Sequence, residues 1–285
     1  GRPKKITGTR FAAILGLDPW KTEFEVWCDV TGTYKEPFED NQYTLAGKAI
    51  EPKVISYLDK RYHFSRGKLM DPESFYGRTK KQMRYDHFPE NPIFGGMWDA
   101  RTDTAVYELK TSKRVEDWFR GGSLCPPEHY KLQGALYAWL MGLDEFRLVL
   151  TMLTDRDYED PEAFVPTPEN TLMKKFSLAK EYPEFMRKLA HCMNWWDEHV
   201  LNPESPVWGD GKKDQEILRA LTTAYLPKTG RGYSAGGGPS SGSGTAAGGD
   251  GRDRAALSEG GRAMRAMALA AGGNRLAAVE RPVPE

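Results

Sequence analysis

The chain predicts an α/β fold of the α+β kind, a mixed sheet flanked by helices. Apolar residues recur at helical spacing in some segments. Short runs rich in β-branched and aromatic residues alternate with turn residues in others. Their order is helices, then a meander of strands, then helix, strand and helix, which matches neither a barrel nor a doubly wound sheet. A length of 285 residues with 39% hydrophobic content supports one sizeable core.

The first helix is expected to open at Thr9, run through Phe11, Ile14 and Leu15, and stop at Gly16. Thr22 and Glu25 have the spacing of a capping box, opening a helix that ends near Gly32. From Thr44 to Tyr62 the residues Ile50, Val54, Ile55 and Leu58 mark one apolar helix face. Residues 81–88, 93–101 and 104–112 read as three short strands, with Asp103-Thr104 at the last turn. Residues 126–142 read as a helix, with Pro near its start and Gly142 at its end. Residues 145–153 are a strand, 162–168 another, and a long helix is expected from Thr171 to Val200.

Composition narrows the function classes. Formal net charge is zero, so no global basic field points to nucleic acid, although a local groove is compatible with it. Cys28, Cys125 and Cys192 form no CxxC pair, which argues against a zinc ribbon, an iron–sulfur cluster or a disulfide scaffold. No apolar run reaches the roughly 18 residues of a membrane span. No signal-peptide pattern opens the chain, which begins at Gly1. All eight tryptophans precede residue 209; beyond residue 228 there is no Lys and one aromatic, Tyr233. The expected division is a folded domain over 1–226 and a Gly/Ala-rich, disordered tail over 227–285. A docking helix or a tail from fusion or frame change are the other readings of that segment.

The chemistry concentrates in residues 94–113. Side chains alternate along a strand, so Glu108 and Lys110 share one face. Asp99 ends the preceding strand and falls beside Glu108 if the turn at Thr102 to Thr104 sets that register. Two carboxylates and the Leu109 carbonyl are hard oxygen donors suited to Mg²⁺ or Mn²⁺. Lys110 beside them would orient or deprotonate a water, or neutralise charge on a phosphate. Against this stands the bland reading, an ordinary hairpin with a salted surface.

Gly96-x-x-Asp99 followed by Glu108-x-Lys110 resembles the PD-(D/E)XK nuclease core, the restriction-endonuclease-like fold, except that Trp98 and not Pro precedes Asp99. Gly47, Lys48 and Glu51 are similar to the acidic helix of phage exonucleases, and Gln133 with Tyr137 to the Gln-x-x-x-Tyr helix of RecB-like nucleases. Residues 6–27 resemble the opening of YqaJ-type viral recombinases, relatives of lambda exonuclease. The resemblance spans roughly residues 2 to 200.

It implies a metal-dependent DNA exonuclease, phage or prophage encoded and acting in the host cytoplasm. Such an enzyme would degrade linear duplex ends 5′ to 3′ and leave 3′ overhangs for a single-strand annealing protein. A homotrimer is implied by resemblance alone. Asp99, Glu108, Leu109 and Glu51 would hold the metal, with Lys110 at the water. Gln133 and Tyr137 would contact DNA, Thr9, Arg2 and Arg10 a terminal 5′-phosphate, and Lys113 the backbone.

Other readings stay open. Glu51 would alternatively be an exposed acid paired with Lys48 or Lys53, Tyr137 a core residue, and Lys113 and Arg114 a solvated loop. Trp20 and Trp27 are expected in the core, with base stacking as the alternative. The five histidines form no ligand pattern. A RecB-like or Cas4-like nuclease is the rival within the class, though Cas4's cysteine cluster is missing. A non-catalytic DNA-binding module is the rival outside it, though the charged set is intact.

Overall fold

The computed structural model describes residues 2–37, 40–62, 67–202 and 204–225. The expected tail, including Tyr233, and His63 lie outside the described residues.

Among the described residues four helices precede the sheet, the fourth of them short. The first, α1 (Gly8–Ile14), starts one residue before the expected Thr9 cap. Thr7 occupies the cap position without a side-chain hydrogen bond, and Thr9 is an exposed residue inside the helix. The second, α2 (Glu23–Thr31), has both halves of the Thr22–Glu25 capping box and ends at Gly32, whose φ of 74° favours glycine. The third, α3 (Gln42–Tyr62), buries Ile50, Val54, Ile55 and Leu58, the face its spacing predicts. Pro52 lies inside α3 and deprives the Lys48 carbonyl of its usual donor, next to Glu51.

The main sheet has four strands, β1 (Ala100–Arg101), β2 (Ala105–Ser112), β5 (Glu145–Met152) and β6 (Thr171–Ser177), in spatial order β1-β2-β5-β6. β2 runs parallel to β5, with helix α5 (Glu128–Met141) as the crossover, and the outer pairs are antiparallel. Between β2 and α5 sits a two-stranded ribbon, β3 (Phe119–Arg120) and β4 (Ser123–Leu124). On one face Val106, Phe146, Leu148 and Phe176 pack with α1, α5 and α8 (Phe185–Trp196). On the other, Ala105, Tyr107 and Val149 pack under α3. Among the described residues no helix is long and apolar enough to cross a membrane.

Several expected elements differ. Residues 81–88 are turns with Arg84 and Tyr85 at φ of 54° and 57°, not a strand; Met83 and Tyr85 imitate strand spacing on a largely exposed segment. Only Ala100–Arg101 of the 93–101 stretch is strand, with Phe94 forming a single parallel bridge to Ile6. Residues 162–168 are not a strand; Pro166 and Pro168 lack the donors a ladder needs. The expected long helix from Thr171 begins instead as β6, the sheet's edge. It continues as the short α7 (Leu178–Glu181), and Pro183 precedes α8. Short α4 (Pro72–Tyr76) and α6 (Asp155–Glu159) were not expected, nor was α9 (Lys212–Tyr225).

One glycine sets the distance between crossover and sheet. A Cβ on Gly134 would lie 2.9 Å from Cδ2 of Phe146, whose ring stacks on Phe176 at 5.1 Å. Helix propensity alone would favour alanine by about 1 kcal/mol. Gly134→Ala is nevertheless expected to destabilise the protein by about 1–2 kcal/mol in urea unfolding, because the core is overpacked. A stabilised variant would mean that α5 and β5 part without cost.

Candidate active site

The β1–β2 hairpin builds the site. Ala100 pairs with Tyr107 and Arg101 with Val106, so the same register carried back one residue sets Asp99 opposite Glu108. The turn is closed by the Thr102 N–H donating to the Ala105 carbonyl at 2.9 Å. β1 is too short to offer a backbone acceptor to Leu109. The Asp99 carboxylate does so instead, Oδ2 accepting the Leu109 N–H at 2.7 Å. That bond fixes Asp99 against the strand that carries Glu108 and Lys110.

Glu108 shares the Val106 face and is fully buried. Its Oε1 accepts from Lys110 Nζ at 2.7 Å, while Oε2 is buried without a hydrogen-bond donor. Burial, and then the charge of Asp99, push the Glu108 carboxyl well above the usual range. Burial opposes the charge on Lys110, but Glu108 and Asp99 outweigh it and hold the ammonium above its ordinary value. Lys110 is thus a cation at neutral pH. On its other side its Nζ lies 5.2 Å from the centre of the Tyr130 ring, which stacks on buried Trp118.

Glu51 comes from α3. Burial, then Asp99, raise its carboxyl to about 7, with Asp71 adding to the rise and Lys80 and Lys110 opposing it. The lysines that would have made Glu51 an ordinary paired acid are engaged elsewhere: Lys48 with Asp40 at 2.8 Å, and Lys53 with the Pro161 carbonyl at 3.1 Å. Glu51 lines a cavity of about 470 Å³ together with Asp71 and Lys80. Those two went unrecognised in the sequence, since neither stands at a motif spacing from Glu51.

The other candidates divide. Tyr137 is in the core, 2% exposed; Gly8 N–H donates to its hydroxyl at 3.4 Å, and that oxygen lies 2.7 Å from where a Cβ on Gly96 would stand. It ties α1 to α5 and to the segment before Asp99, and does not face outward to a DNA backbone. Gln133 packs its Cγ against Gly8. Thr9 and Arg2 are exposed. The Arg10 fork is committed to Asp29, at 3.0 and 2.7 Å, and to the Lys5 carbonyl at 2.5 Å. Exposed Lys113 pairs with Asp155. Trp27, expected in the core, is half-buried against it, donating to the His199 carbonyl at 2.9 Å. Trp20, also expected inside, is 69% exposed. His87, given no role from sequence, accepts the Trp98 N–H at Nδ1 at 3.3 Å, and burial lowers it to about 4.

The donor set suits a hard divalent cation. The charge of Asp99 bears on both Glu51 and Glu108, Glu108 keeps an undonated buried oxygen, and the Leu109 carbonyl belongs to the same strand. Among the described residues, no three His, Cys, Asp or Glu side chains form a finished metal cage by themselves. Glu108 is drawn onto Lys110, and the set needs a backbone oxygen.

A mixed sheet whose hairpin sets Asp99 against Glu108-x-Lys110, with Glu51 brought in from α3, has the arrangement that the resemblance to the PD-(D/E)XK core leads one to expect. The model of the YqaJ-like viral recombinase domain matches residues 1–144, and the chain belongs to that family. The chain is similar to the uncharacterised protein MG373 of Mycoplasma genitalium, 23% identical over 245 residues, covering 71% of this chain and 83% of that one. It is also similar to the MG373 homologue of Mycoplasma pneumoniae, 23% identical over 248 residues, covering 72% and 84%. Among solved structures, the alkaline exonuclease LHK-Exo of Laribacter hongkongensis superimposes with a TM-score of 0.46 at 14% identity, over 78% of this chain and 96% of that one. A phage-related exonuclease from Haemophilus somnus does so at 0.46 and 14%, over 71% and 97%.

The raised Glu51 carboxyl has a measurable consequence. Its folded value lies above its ordinary one, so the stability it contributes is present below about pH 4.5 and is lost as pH rises through about 7. Without divalent metal, Glu51→Gln should therefore exceed the wild type in stability above that range, by about 1–3 kcal/mol. The difference should shrink as pH falls below about 5. Urea unfolding in EDTA across this range checks it; identical pH profiles would contradict it.

Proposed function

We propose that this chain is a metal-dependent deoxyribonuclease that degrades linear duplex DNA from its ends, 5′ to 3′, leaving 3′ overhangs for recombination. The observation that carries the reading is Asp99 opposite Glu108, with Lys110 on the same strand face and Glu51 within reach of their charge. Membership of the recombinase family supports it.

Asp99, Glu108, Glu51 and the Leu109 carbonyl would hold Mg²⁺ or Mn²⁺. The ion, when bound, would acidify a water and offset charge on the scissile phosphate. Glu108 would turn its undonated oxygen to this task and loosen its grip on Lys110. Lys110, held as an ammonium, is suited to orient the water and to neutralise the phosphate and not to act as the base. The Tyr130 ring limits where that ammonium can go.

Arg2 and Thr9, exposed near the start of α1, are the side chains available for a terminal 5′-phosphate. Arg10 would join them only by leaving Asp29. Gln133 and Lys113 are candidates for backbone contact, Lys113 after release from Asp155. The nuclease domain is residues 1–226, with 227–285 a segment outside it. A ring of three copies in a host cytoplasm, working with an annealing protein, completes the proposal.

Digestion of an end-labelled linear duplex in Mg²⁺, beside a closed circle, tests this. The wild type should degrade the linear form alone, and faster with a 5′-phosphate than with a 5′-hydroxyl. Asp99→Asn should abolish cleavage, and Lys110→Ala should lower it by about a hundred-fold or more while metal binding persists. Equal rates on the two ends would remove the 5′ polarity; near-native turnover by either variant would remove the assigned site.

A further inference from the structure

Trp20 is 69% exposed, more than any other tryptophan of the chain; Trp208 follows at 50%, and the rest are buried or half-buried. Its backbone is held in place: the main-chain N–H of Trp20 donates to Asp18 Oδ1 at 2.8 Å, and Pro19 between them restricts the turn. The guanidinium of Arg114 lies 5.9 Å from the centre of the indole ring. Arg114 is fixed in turn by Asp117 at 3.2 Å, and its N–H donates to Ser112 Oγ at 3.1 Å.

This places the indole at the end of β2, the strand that carries Glu108 and Lys110. The same turn reaches the other wall of the site: Asp18 is close enough to His129 and Tyr130 for its charge to bear on both, and Tyr130 is the ring against Lys110. A wet indole beside a cation, on a turn that reaches the ring packed against Lys110, has the components of a single-strand platform. The ring offers a face to any base, and the cation offers charge to the adjoining phosphate. A duplex stacks its bases internally and has no face to offer in its interior, so such a platform selects unpaired nucleotides.

We propose that Trp20, with Arg114, is a stacking platform for an unpaired nucleobase of a strand lying at the Asp99–Glu108 site. The proposal rests on the nuclease reading for the identity of the ligand, but its test does not use cleavage. Binding of a fluorescent oligothymidylate to the full chain would be followed by anisotropy in EDTA, beside an abasic oligonucleotide of equal length and charge. Wild type should bind the thymidylate more tightly than the abasic strand. Trp20→Ala should weaken thymidylate binding about ten-fold and leave abasic binding unchanged, and Trp20→Phe should restore most of the loss. Circular dichroism would verify that the variants are folded.

Equal binding of the two strands by wild type, or an equal loss on both in Trp20→Ala, would overturn the platform; the first result would leave Trp20 to a protein partner. If the platform behaves as expected while wild type cuts no DNA in Mg²⁺, the nuclease reading fails alone. If wild type cuts and Trp20→Ala binds as wild type does, the platform fails alone.

Discussion

The hydrogen bond from the Leu109 N–H to the Asp99 carboxylate is the contact on which the site depends. β1 covers only Ala100 and Arg101, so the backbone ladder stops before the residues that matter. The side chain of Asp99 takes over where the ladder ends, satisfying a donor that would otherwise lie unpaired at the edge of the core. By doing so it brings its own charge against Glu108, which is fully buried, and toward Glu51. A bond that completes the hairpin thereby creates the electrostatic crowding beside it.

That crowding is partly offset within the chain. Lys110 gives Glu108 one charge-assisted bond, and Lys80 opposes the rise at Glu51. The remainder, an undonated Glu108 oxygen and a Glu51 carboxyl near neutrality, marks a place where stability is given up for charge density. The apolar frame bears this: Val106 and Tyr107 are fully buried on opposite faces of the same strand, anchoring it under α1 and α5 on one side and α3 on the other. Tyr137 joins those layers. Its hydroxyl takes the Gly8 N–H and packs where Gly96 has no side chain.

What could be read from the sequence follows this division. The Thr22–Glu25 box and the α3 apolar face are local patterns, and both form as spaced. The register of Asp99 and Glu108 was legible because Asp103-Thr104 makes a short turn and side-chain alternation does the rest. β6 was not, because its burial does not alternate: Thr171 and Phe176 are buried, and the residues between them are half-buried or exposed. An edge strand of that kind looks like the start of an amphipathic helix. Asp71 and Lys80 were missed because their relation to Glu51 arises only once α4 and the turns after it fold back over α3. Trp20 was misplaced because indoles are usually buried, and nothing in Asp-Pro-Trp announces that this one faces water.

If carboxylate crowding is the organising constraint, a divalent cation should relieve it, and must displace protons to do so. The direct measurement is calorimetric titration of the wild type with Mn²⁺ near neutral pH, in two buffers of different ionisation enthalpy. The expected result is binding whose heat depends on the buffer, showing proton release, with affinity that rises with pH. Absence of binding, or binding without proton release, would contradict the account.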